Sequence, residues 1–541
     1  MGNQADRVED RRAFFRILGA AAALGAAGVG LPGCSRASAF PSILTPSQRS
    51  EAALAVRIAA ARMAFDRGLP IQLANGDETR LPAYAASYSK GLPHDARGFV
   101  VPSAYETLLA AVRREEKGAF EAVPLAGPRR LVNPMAGAAF DLQGPDSHAC
   151  AIAPAPRFDS PEQAAEAVEL YWMALARDVP FAAYTADPII AAASTELSAL
   201  SDCRAPKDAG LVTPATLFRG STAGDRAGPF LSQFLLRDAP FGALTISQKM
   251  RTVVPGVDYL TDYPSWLAAQ NGAAVPPYPT DPVPRYIRSL RDLAEWVHVD
   301  ALHEAYFNAC LYLFSIEAPF DPGNPYVASA TQDGFGTFGP PHVLALVTEV
   351  ATRALKAVWY QKWYVHRRAR PEEFGGRVHL HVTGQEVFPL HPELLSSAAL
   401  AEVFSGHGSY LLPQAYPEGC PLHPAYGAGH ATVAGACVTI LKAWFDGRHV
   451  LPSPVVPSAD GTLLLPYGGP EPLTVSGELD KLAANISLGR SAAGIHWRTD
   501  YLASLFLGEA IALAILEEQR LTYEESPSFT LTRFDGTTVT V

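Results

Sequence analysis

Hydrophobic residues recur at helical spacing along most of this chain. The run A-A-L-A-V-R-I-A-A-A-R predicts a helix over residues 46–67, with Pro46 in its first turn. Further helices are predicted over residues 162–177, 290–316 (mostly apolar and buried), 340–368, 430–445 and 500–519. Helices therefore dominate the predicted fold.

Two segments near the C-terminus alternate apolar and polar residues around turn signals. Ala459-Asp460-Gly461 divides residues 455–475, and Asp535-Gly536 divides residues 529–541, so both segments predict β-hairpins. Residues 205–284 mix proline, glycine and aromatic residues, which is typical of long ordered loops. We predict a mainly α fold, a helical bundle with small β-hairpins. Facing helices in such a bundle can gather site residues from distant parts of the sequence.

The N-terminus has the pattern of a twin-arginine export signal over residues 1–39. Arg11-Arg12 precedes an apolar run of about 15 residues, which is too short for a permanent spanning helix. Two processing sites are compatible with this signal: lipidation at Cys34 in L-P-G-C, or cleavage after Ala39 in A-S-A. We expect a periplasmic, secreted or envelope-anchored protein, whose only membrane contact would be a lipid on Cys34. A single domain is predicted over residues 40–541, with its active-site half at about 290–541.

Composition narrows the class of protein further. The chain has 541 residues, of which 48% are hydrophobic and 18% charged, so it can bury a large core. A net charge of −11 argues against nucleic acid as a partner. The cysteines after Cys34 show no C-x-x-C spacing, so they do not predict a zinc site, and we expect most to be buried free thiols.

Three stretches in the last third of the chain hold groups that bind a tetrahedral oxyanion. They are K-W-Y-V-H-R-R-A-R-P (residues 362–371), H-P-A-Y-G-A-G-H (423–430) and G-R-S-A-A-G-I-H-W-R-T-D (489–500). They supply three cations, a glycine turn at a helix start and three histidines: Lys362, Arg370, Arg490, Gly429, His423, His430 and His496. Fixed cations and free backbone N–H groups bind anions, and histidine supplies acid–base chemistry.

Each stretch alone also has a purely structural interpretation. For Arg367 and Arg368 we adopt it: a solvated basic face on a helix that ends at Arg370, before Pro371. The glycine turn alone could be a tight helix–helix contact, and His423 alone could be structural. Residues 496 and 500 could form a structural His–Asp pair. If that aspartate accepts from Nδ1 of the histidine, however, Nε2 is left free as a nucleophile or metal ligand.

Together the stretches resemble the vanadium haloperoxidase and acid phosphatase superfamily, whose pattern is K-x(6 or 7)-R-P, then S-G-H, then S-R-x(3)-G-x-H-x(3)-D. The seven residues between Lys362 and Arg370, and the additional His423, are similar to the algal-type vanadium bromoperoxidases. The resemblance covers most of the chain after the export signal. It is strongest from about Asp300 onward.

The resemblance implies a vanadate cofactor with vanadium bonded to His496. It implies that the vanadate is held by Lys362, Arg370, Gly429, His430, Arg490 and His496. Catalytic roles would fall to His430 as acid–base, Asp300 as the carboxylate that orients it, Lys362 on bound peroxide, and His423 in bromide chemistry. The substrates would be hydrogen peroxide, a halide (bromide or iodide favoured) and a small organic acceptor. A homo-oligomer and a structural cation, which the sequence does not place, are also implied.

One departure and two alternatives accompany this hypothesis. Ala428 stands where the family usually has serine, which removes a hydroxyl donor worth about 0.5–1.5 kcal/mol and puts reactivity or halide preference in doubt. An acid phosphatase could use the same residues, with His496 as nucleophile and His430 as leaving-group acid. A non-catalytic protein that binds vanadate or phosphate is the second alternative.

Overall fold

The computed structural model describes residues 44–541. The predicted export signal, including Cys34, lies outside the described residues. The chain divides into two units, Met1–Ala55 and Val56–Val541, and the site described below lies entirely in the second. The extent of the single domain expected over residues 40–541 stays a prediction.

Helices form the frame of the fold, as the apolar spacing predicts. The α-helices are α1 (Pro46–Asp66), α2 (Asp77–Arg80), α3 (Pro102–Arg114), α4 (Lys117–Glu121), α5 (Pro161–Leu175), α6 (Pro188–Ala199), α7 (Ala223–Arg226), α8 (Tyr263–Gln270), α9 (Leu290–Val299), α10 (Glu304–Ser315), α11 (Pro340–Tyr360), α12 (Pro371–Val382), α13 (Pro392–Leu395), α14 (Ala398–His407), α15 (Gly429–Trp444), α16 (Val475–Ala492) and α17 (Arg498–Gln519). Short 3-10 turns occur at Pro82–Tyr84, Pro134–Ala138, Ser147–Ala149, Phe181–Ala183, Gln233–Leu235 and Arg520–Thr522.

The strands described here form small antiparallel pairs. They are β1 (Ala239–Phe241) with β2 (Leu244–Ile246), β3 (Val455–Pro457) with β4 (Leu464–Pro466), and β5 (Thr530–Thr532) with β6 (Thr538–Thr540). The last two pairs are the predicted hairpins, with Val456 opposite Leu465 and Leu531 opposite Val539. The first pair escaped prediction because its strands are short and one contains Pro240. The predicted mainly α class is confirmed.

Helix α15 lies at the centre of the bundle, and its residues 431–444 are all buried. It packs against α11, α16 and α17. Its contact with α17 is backbone to backbone, because a Cβ on Gly435 would lie 2.2 Å from Leu505 O and one on Gly508 would lie 2.1 Å from Thr432 O. The small residues of these helices therefore bring the first turn of α15 close to α17.

The C-terminal helix α17 is also long and apolar. By length and composition, the segment Arg498–Thr522 could cross a membrane, but 67% of its most apolar window is buried inside the fold. That degree of burial is typical of the core helix of a folded domain. The five described cysteines are free thiols, and all but Cys203 are buried, as expected.

The predicted single helix over residues 290–316 is wrong, because the structure breaks it between Val299 and Glu304. Asp300 adopts extended geometry (φ −65°, ψ 147°) and leaves the helix. Glu304 then starts α10, and its carboxylate accepts a hydrogen bond from the N–H of Ala301 at 3.2 Å. The break directs the Asp300 side chain toward α15 instead of along the face of a continuous helix.

The predicted helix end at Arg370 is also wrong. Helix α11 continues into a π-helical turn, Gln361–His366, and Arg367 then takes left-handed geometry (φ 43°). Arg370 is instead the N-cap of α12, with Pro371 at its first position, where the missing N–H of proline costs nothing. The proline thus begins the next helix, and Arg370 projects from a helix start.

Candidate active site

Lys362 lies in the π-helical turn after α11 and is fully buried. Its Nζ donates hydrogen bonds to the carbonyl oxygens of Pro424 (2.6 Å) and Ala425 (2.9 Å), just before the glycine turn. Burial, reinforced by the nearby Arg370, lowers the pKa of Lys362 well below its ordinary value. Two of the three ammonium protons are used by carbonyls, so one donor remains for a ligand.

Arg370 joins the first stretch to the other two. Its Nε donates to His423 O (2.9 Å), its Nη1 to Ile495 O (2.8 Å) and His496 Nε2 (2.9 Å), and its Nη2 to His423 Nδ1 (2.9 Å). The carboxylate of Glu373 accepts from the backbone N–H of Arg370 at 2.8 Å and fixes the start of α12. The guanidinium is fully buried, and burial lowers its pKa.

His496 is held in one tautomer by Asp500. The Nδ1 atom lies 2.7 Å from Asp500 Oδ2, which also accepts from the Trp497 N–H at 3.0 Å. Because a carboxylate only accepts, we assign the proton to Nδ1, which leaves the Nε2 lone pair to accept from Arg370. Burial, then Arg370 and Lys362, lower the pKa of His496 well below its usual value. The ring is therefore neutral, and its Nε2 lone pair, which accepts from Arg370 in this structure, is the one that a metal would take.

We call the site around Lys362, Arg370 and His496 the pocket. Arg490 reaches it from the last turn of α16. Its Nη1 donates to Val297 O at 2.5 Å, and its guanidinium carbon lies 5.7 Å from the ring centre of Tyr416. Its Nε is buried and has no hydrogen-bond partner in the described chain. A buried N–H without an acceptor is costly, so this atom points to a missing ligand.

His430 and Asp300 form a partly buried pair at the start of α15. Nε2 of His430 lies 2.9 Å from Asp300 Oδ1. Burial favours the neutral acid at Asp300, but the interaction with His430 outweighs it and lowers the pKa of the carboxyl. Burial lowers the pKa of His430, although Asp300 opposes that change. The ionised carboxylate of Asp300 thus accepts from the Nε2–H of a neutral His430 ring, so Nδ1 of His430 can accept a proton.

His423 stacks on Trp359, with ring centres 4.8 Å apart and planes inclined by 36°. Because Arg370 donates to Nδ1 of His423, the ring proton resides on Nε2, which can act as a donor. Lys362 Nζ lies 5.7 Å from a ring centre of the same tryptophan. The sequence argument missed Trp359. Its position three residues before Lys362, one helical turn away, was the available signal.

The glycine turn places backbone donors at the pocket. Gly429 starts α15, so its N–H has no acceptor within the helix. A Cβ at this position would lie 3.1 Å from the Trp359 ring, which favours glycine. The N–H of Ala428 is not free, because it donates to Ser504 Oγ at 2.7 Å. Ser504, which the sequence argument also missed, lies one helical turn after Asp500 on α17.

The pocket has an unbalanced charge. Among the described residues, no carboxylate lies within 4.0 Å of Lys362, Arg370 or Arg490, which bind only carbonyls and imidazole nitrogens. Most other buried cations are paired, such as Lys90 with Glu372 (2.6 Å), although buried Arg377 also donates only to carbonyl oxygens, those of Ala85 and Gly98. Three buried cations without a counter-charge, with Arg490 Nε unpartnered, fit a small tetrahedral oxyanion such as vanadate. The lone pair of His496 Nε2 fits the metal of that anion.

The predicted solvated face at Arg367 and Arg368 is wrong. Arg367 makes a two-point ion pair with Glu78, with both N···O distances at 2.7 Å. Arg368 is buried and binds Glu166 (2.9 Å) and Asp500 (3.0 Å). The left-handed turn at Arg367 directs both side chains inward, toward Glu78, Glu166 and Asp500, which are all distant in sequence. Local spacing cannot reveal partners so distant in sequence.

The fold and the pocket define the vanadium haloperoxidase class of helical-bundle proteins. Residues 342–524 match the family model described as the VCPO second helical-bundle domain. The vanadium-dependent bromoperoxidase of Corallina officinalis is 38% identical over 91% of this chain and 98% of its own length. The enzyme of that name from Ascophyllum nodosum is 37% identical over 93% and 94%. The chain belongs to the vanadium-dependent bromoperoxidase family.

A solved structure supports the same assignment at the level of the fold. The homohexameric structure of the second vanadate-dependent bromoperoxidase from Ascophyllum nodosum superposes with a TM-score of 0.88 at 30% identity. The match covers 96% of this chain and 95% of that one. The protein is therefore an enzyme of the haloperoxidase type, and the family implies a vanadate cofactor.

Proposed function

We propose that this protein uses vanadate to oxidise bromide or iodide with hydrogen peroxide, forming hypohalous acid or an equivalent halogenating species that reacts with a small organic acceptor. One observation carries the proposal: three buried cations converge on a histidine lone pair without a carboxylate to balance them. Bromide and iodide are favoured over chloride because they are easier to oxidise.

The three cations would hold and neutralise the oxyanion, and His496 Nε2 would bond its metal. When bound, vanadate would supply a Lewis acid that activates peroxide without changing its own oxidation state. Arg490 Nε, the third proton of Lys362 and the Gly429 N–H are among the donors that the protein leaves open for the oxygen atoms. Asp500 keeps the proton of His496 on Nδ1 and so keeps Nε2 available.

His430 is the acid–base group of this proposal. Asp300 fixes the Nε2–H of His430, so Nδ1 is the atom that takes a proton from incoming peroxide and later returns one. Lys362 polarises an oxygen of the bound peroxide by its charge. His423, with its proton held on Nε2 by Arg370, offers a neutral donor to the halide beside the face of Trp359.

One assay separates this function from its alternatives. Purified apo-protein is incubated with orthovanadate and then given peroxide, bromide and a brominatable dye. Dye bromination that depends on vanadate is the expected result. Hydrolysis of a phosphate monoester without vanadate and peroxide would favour the phosphatase. Tight vanadate binding without turnover would favour the non-catalytic binding protein.

We also propose that the protein forms a homo-oligomer, because its solved relative in Ascophyllum nodosum is homohexameric. Light scattering of the purified protein should give a mass near six times 57.7 kDa, and a monomeric mass would refute this. No group of three or more His, Cys, Asp or Glu side chains in residues 44–541 could hold a metal ion, so the structural cation stays without a site.

Export by the twin-arginine route is proposed from the N-terminal sequence. The pattern around Arg11 and Arg12 supports it. Mass spectrometry of the mature N-terminus distinguishes the two processing alternatives, which are a lipid on Cys34 and a mature chain that starts at Phe40. Replacing both arginines by lysine should leave the protein unprocessed inside the cell, and normal export of that variant would contradict the route.

A further inference from the structure

Arg490 is the least restrained of the three pocket cations. Lys362 and Arg370 each make two or more hydrogen bonds to the protein, whereas the Arg490 guanidinium makes one, from Nη1 to Val297 O. The ring of Tyr416 also limits the movement of Arg490, because the guanidinium carbon of Arg490 lies 5.7 Å from the centre of that ring. An arginine over an aromatic face is attracted to the ring electrons.

Tyr416 is itself rigidly held. It is 2% exposed and packs in a small buried cluster with Ala294, Ala415, Cys420, Ala493 and Ile495. Its hydroxyl donates to Ala294 O at 2.5 Å, one turn of α9 before the carbonyl that binds Arg490. The ring and the Val297 carbonyl thus present two fixed surfaces, both anchored on α9, to the same guanidinium.

His298 stacks on Tyr416 almost in parallel, with ring centres 3.8 Å apart and planes inclined by 8°. Nε2 of His298 lies 2.7 Å from Glu418 Oε1, and Nδ1 lies 3.5 Å from Glu295 Oε2. Burial disfavours the charged ring, but hydrogen bonds with Glu295 and Glu418 outweigh it and raise the pKa of His298 to about 9. The imidazolium therefore has two carboxylates of its own and adds no uncompensated charge to the pocket.

We propose that Tyr416, backed by the stacked His298, is a positioning residue that fixes the Arg490 guanidinium for oxyanion binding. The inference rests on the proposed function, because Arg490 matters only if the pocket binds an oxyanion. Neither Tyr416 nor His298 belongs to the three motif stretches. Tyr416 contacts the Arg490 guanidinium, and His298 contacts Tyr416, so both residues act on the anion through the arginine.

The test measures orthovanadate binding to the apo-protein by titration calorimetry, with inorganic phosphate as a second probe. Tyr416→Leu removes the ring face and should weaken vanadate binding about tenfold, whereas Tyr416→Phe keeps the face and should stay within about threefold of wild type. Equal affinities for wild type and Tyr416→Leu would overturn the inference. If wild type itself binds neither anion, the proposed function fails instead.

A double-mutant cycle separates positioning from a general structural effect. In the background of Arg490→Gln, the change Tyr416→Leu should cost no further affinity, because the guanidinium that it orients is gone. A full additional tenfold loss would contradict the proposal. If Tyr416→Leu does not fold, His298→Gln serves in its place, with an expected loss of about threefold in vanadate affinity that also disappears in the Arg490→Gln background. An undiminished loss in that background would refute it equally.

Discussion

Two arginines that lie two residues apart in one motif have opposite surroundings. Arg368 is bound by the carboxylates of Glu166 and Asp500, with further bonds to Gln163 and Thr499. Arg370 is more deeply buried and meets only carbonyl oxygens and imidazole nitrogens. The charge of Arg368 is balanced by these two carboxylates in the folded chain. Arg370 has hydrogen-bond acceptors but no carboxylate partner for its side chain in the described chain.

This difference distinguishes the cations that are paired within the fold from the cations that are proposed to bind an anion. Around Arg368 and Arg498, buried carboxylates such as Glu169 balance each cation, so that region is complete in the folded chain. Around Lys362, Arg370 and Arg490 no carboxylate of residues 44–541 lies at ion-pair distance, and burial, followed by repulsion among the cations, lowers the pKa of Lys362 and of His496. The contrast can be tested variant by variant.

The largest effect is expected from His496→Ala. The variant loses the lone pair that bonds the metal, so vanadate-dependent bromination should fall to the background rate. The control is His366→Gln, which changes another buried histidine of the site motifs whose ring nitrogens make no hydrogen bond in the described chain. A His496→Ala protein that kept its full vanadate-dependent rate would end the assignment of His496.

Exchanging each arginine for glutamine tests the comparison directly. Arg368→Gln strands Glu166 and Asp500 without a counter-charge and should lower the free energy of unfolding by about 3–5 kcal/mol. Arg370→Gln loses hydrogen bonds but relieves repulsion among cations, so the apo-protein should lose less stability than Arg368→Gln does, whereas vanadate affinity should fall about 10- to 100-fold. Denaturant unfolding and titration calorimetry measure the two quantities. If both variants behaved alike, the distinction would fail.

Anion binding should stabilise the folded state, because the pocket gains its missing charge only there. At about 100 times its dissociation constant, orthovanadate or phosphate is expected to add about 2.7 kcal/mol to the free energy of unfolding. Thermal melts at fixed protein concentration would show this as a higher Tm. The increase should shrink in Arg370→Gln. A Tm that does not respond to either anion would mean that the pocket is closed to them.

Restoring the usual hydroxyl should have a smaller effect. Ala428→Ser adds a donor at the N-cap of α15 and should strengthen vanadate binding by about 0.5–1.5 kcal/mol. His423→Ala is the companion variant, expected to raise the bromide KM more than it weakens vanadate binding. Equal losses in both quantities would contradict the role of His423. No gain from Ala428→Ser would mean that a backbone N–H or water already replaces the serine.

The smallest effect concerns a histidine outside the pocket. His298 faces Glu295, Glu418, Tyr278 and Tyr416, and its pKa is raised to about 9 in the folded protein. Its stabilisation is complete below its ordinary pKa near 6.5 and is lost as the pH rises toward 9, because only the folded state keeps the proton in that window. Stability should thus decline from pH 6.5 to 9, less steeply in His298→Gln. Identical slopes would remove His298 as the cause.

The sequence predicts the pocket better than its surroundings, for a physical reason. Residues of the three stretches bind through fixed local geometry, such as the i, i+4 pair of His496 and Asp500, which the structure contains at 2.7 Å. The side-chain partners of Arg367 and Arg368 lie between 131 and 289 positions away and could not be inferred from spacing. Asp300 was placed from family resemblance alone. The helix break that directs its side chain has no strong signal in an apolar run.

The break between α9 and α10 ties two properties of the enzyme together. Val297 gives its carbonyl to Arg490, and three residues later Asp300 gives its carboxylate to His430. In the proposed function, this single short segment positions both an arginine that binds the anion and the carboxylate that sets the basicity of His430. Substitutions in this segment should therefore alter cofactor retention and turnover together.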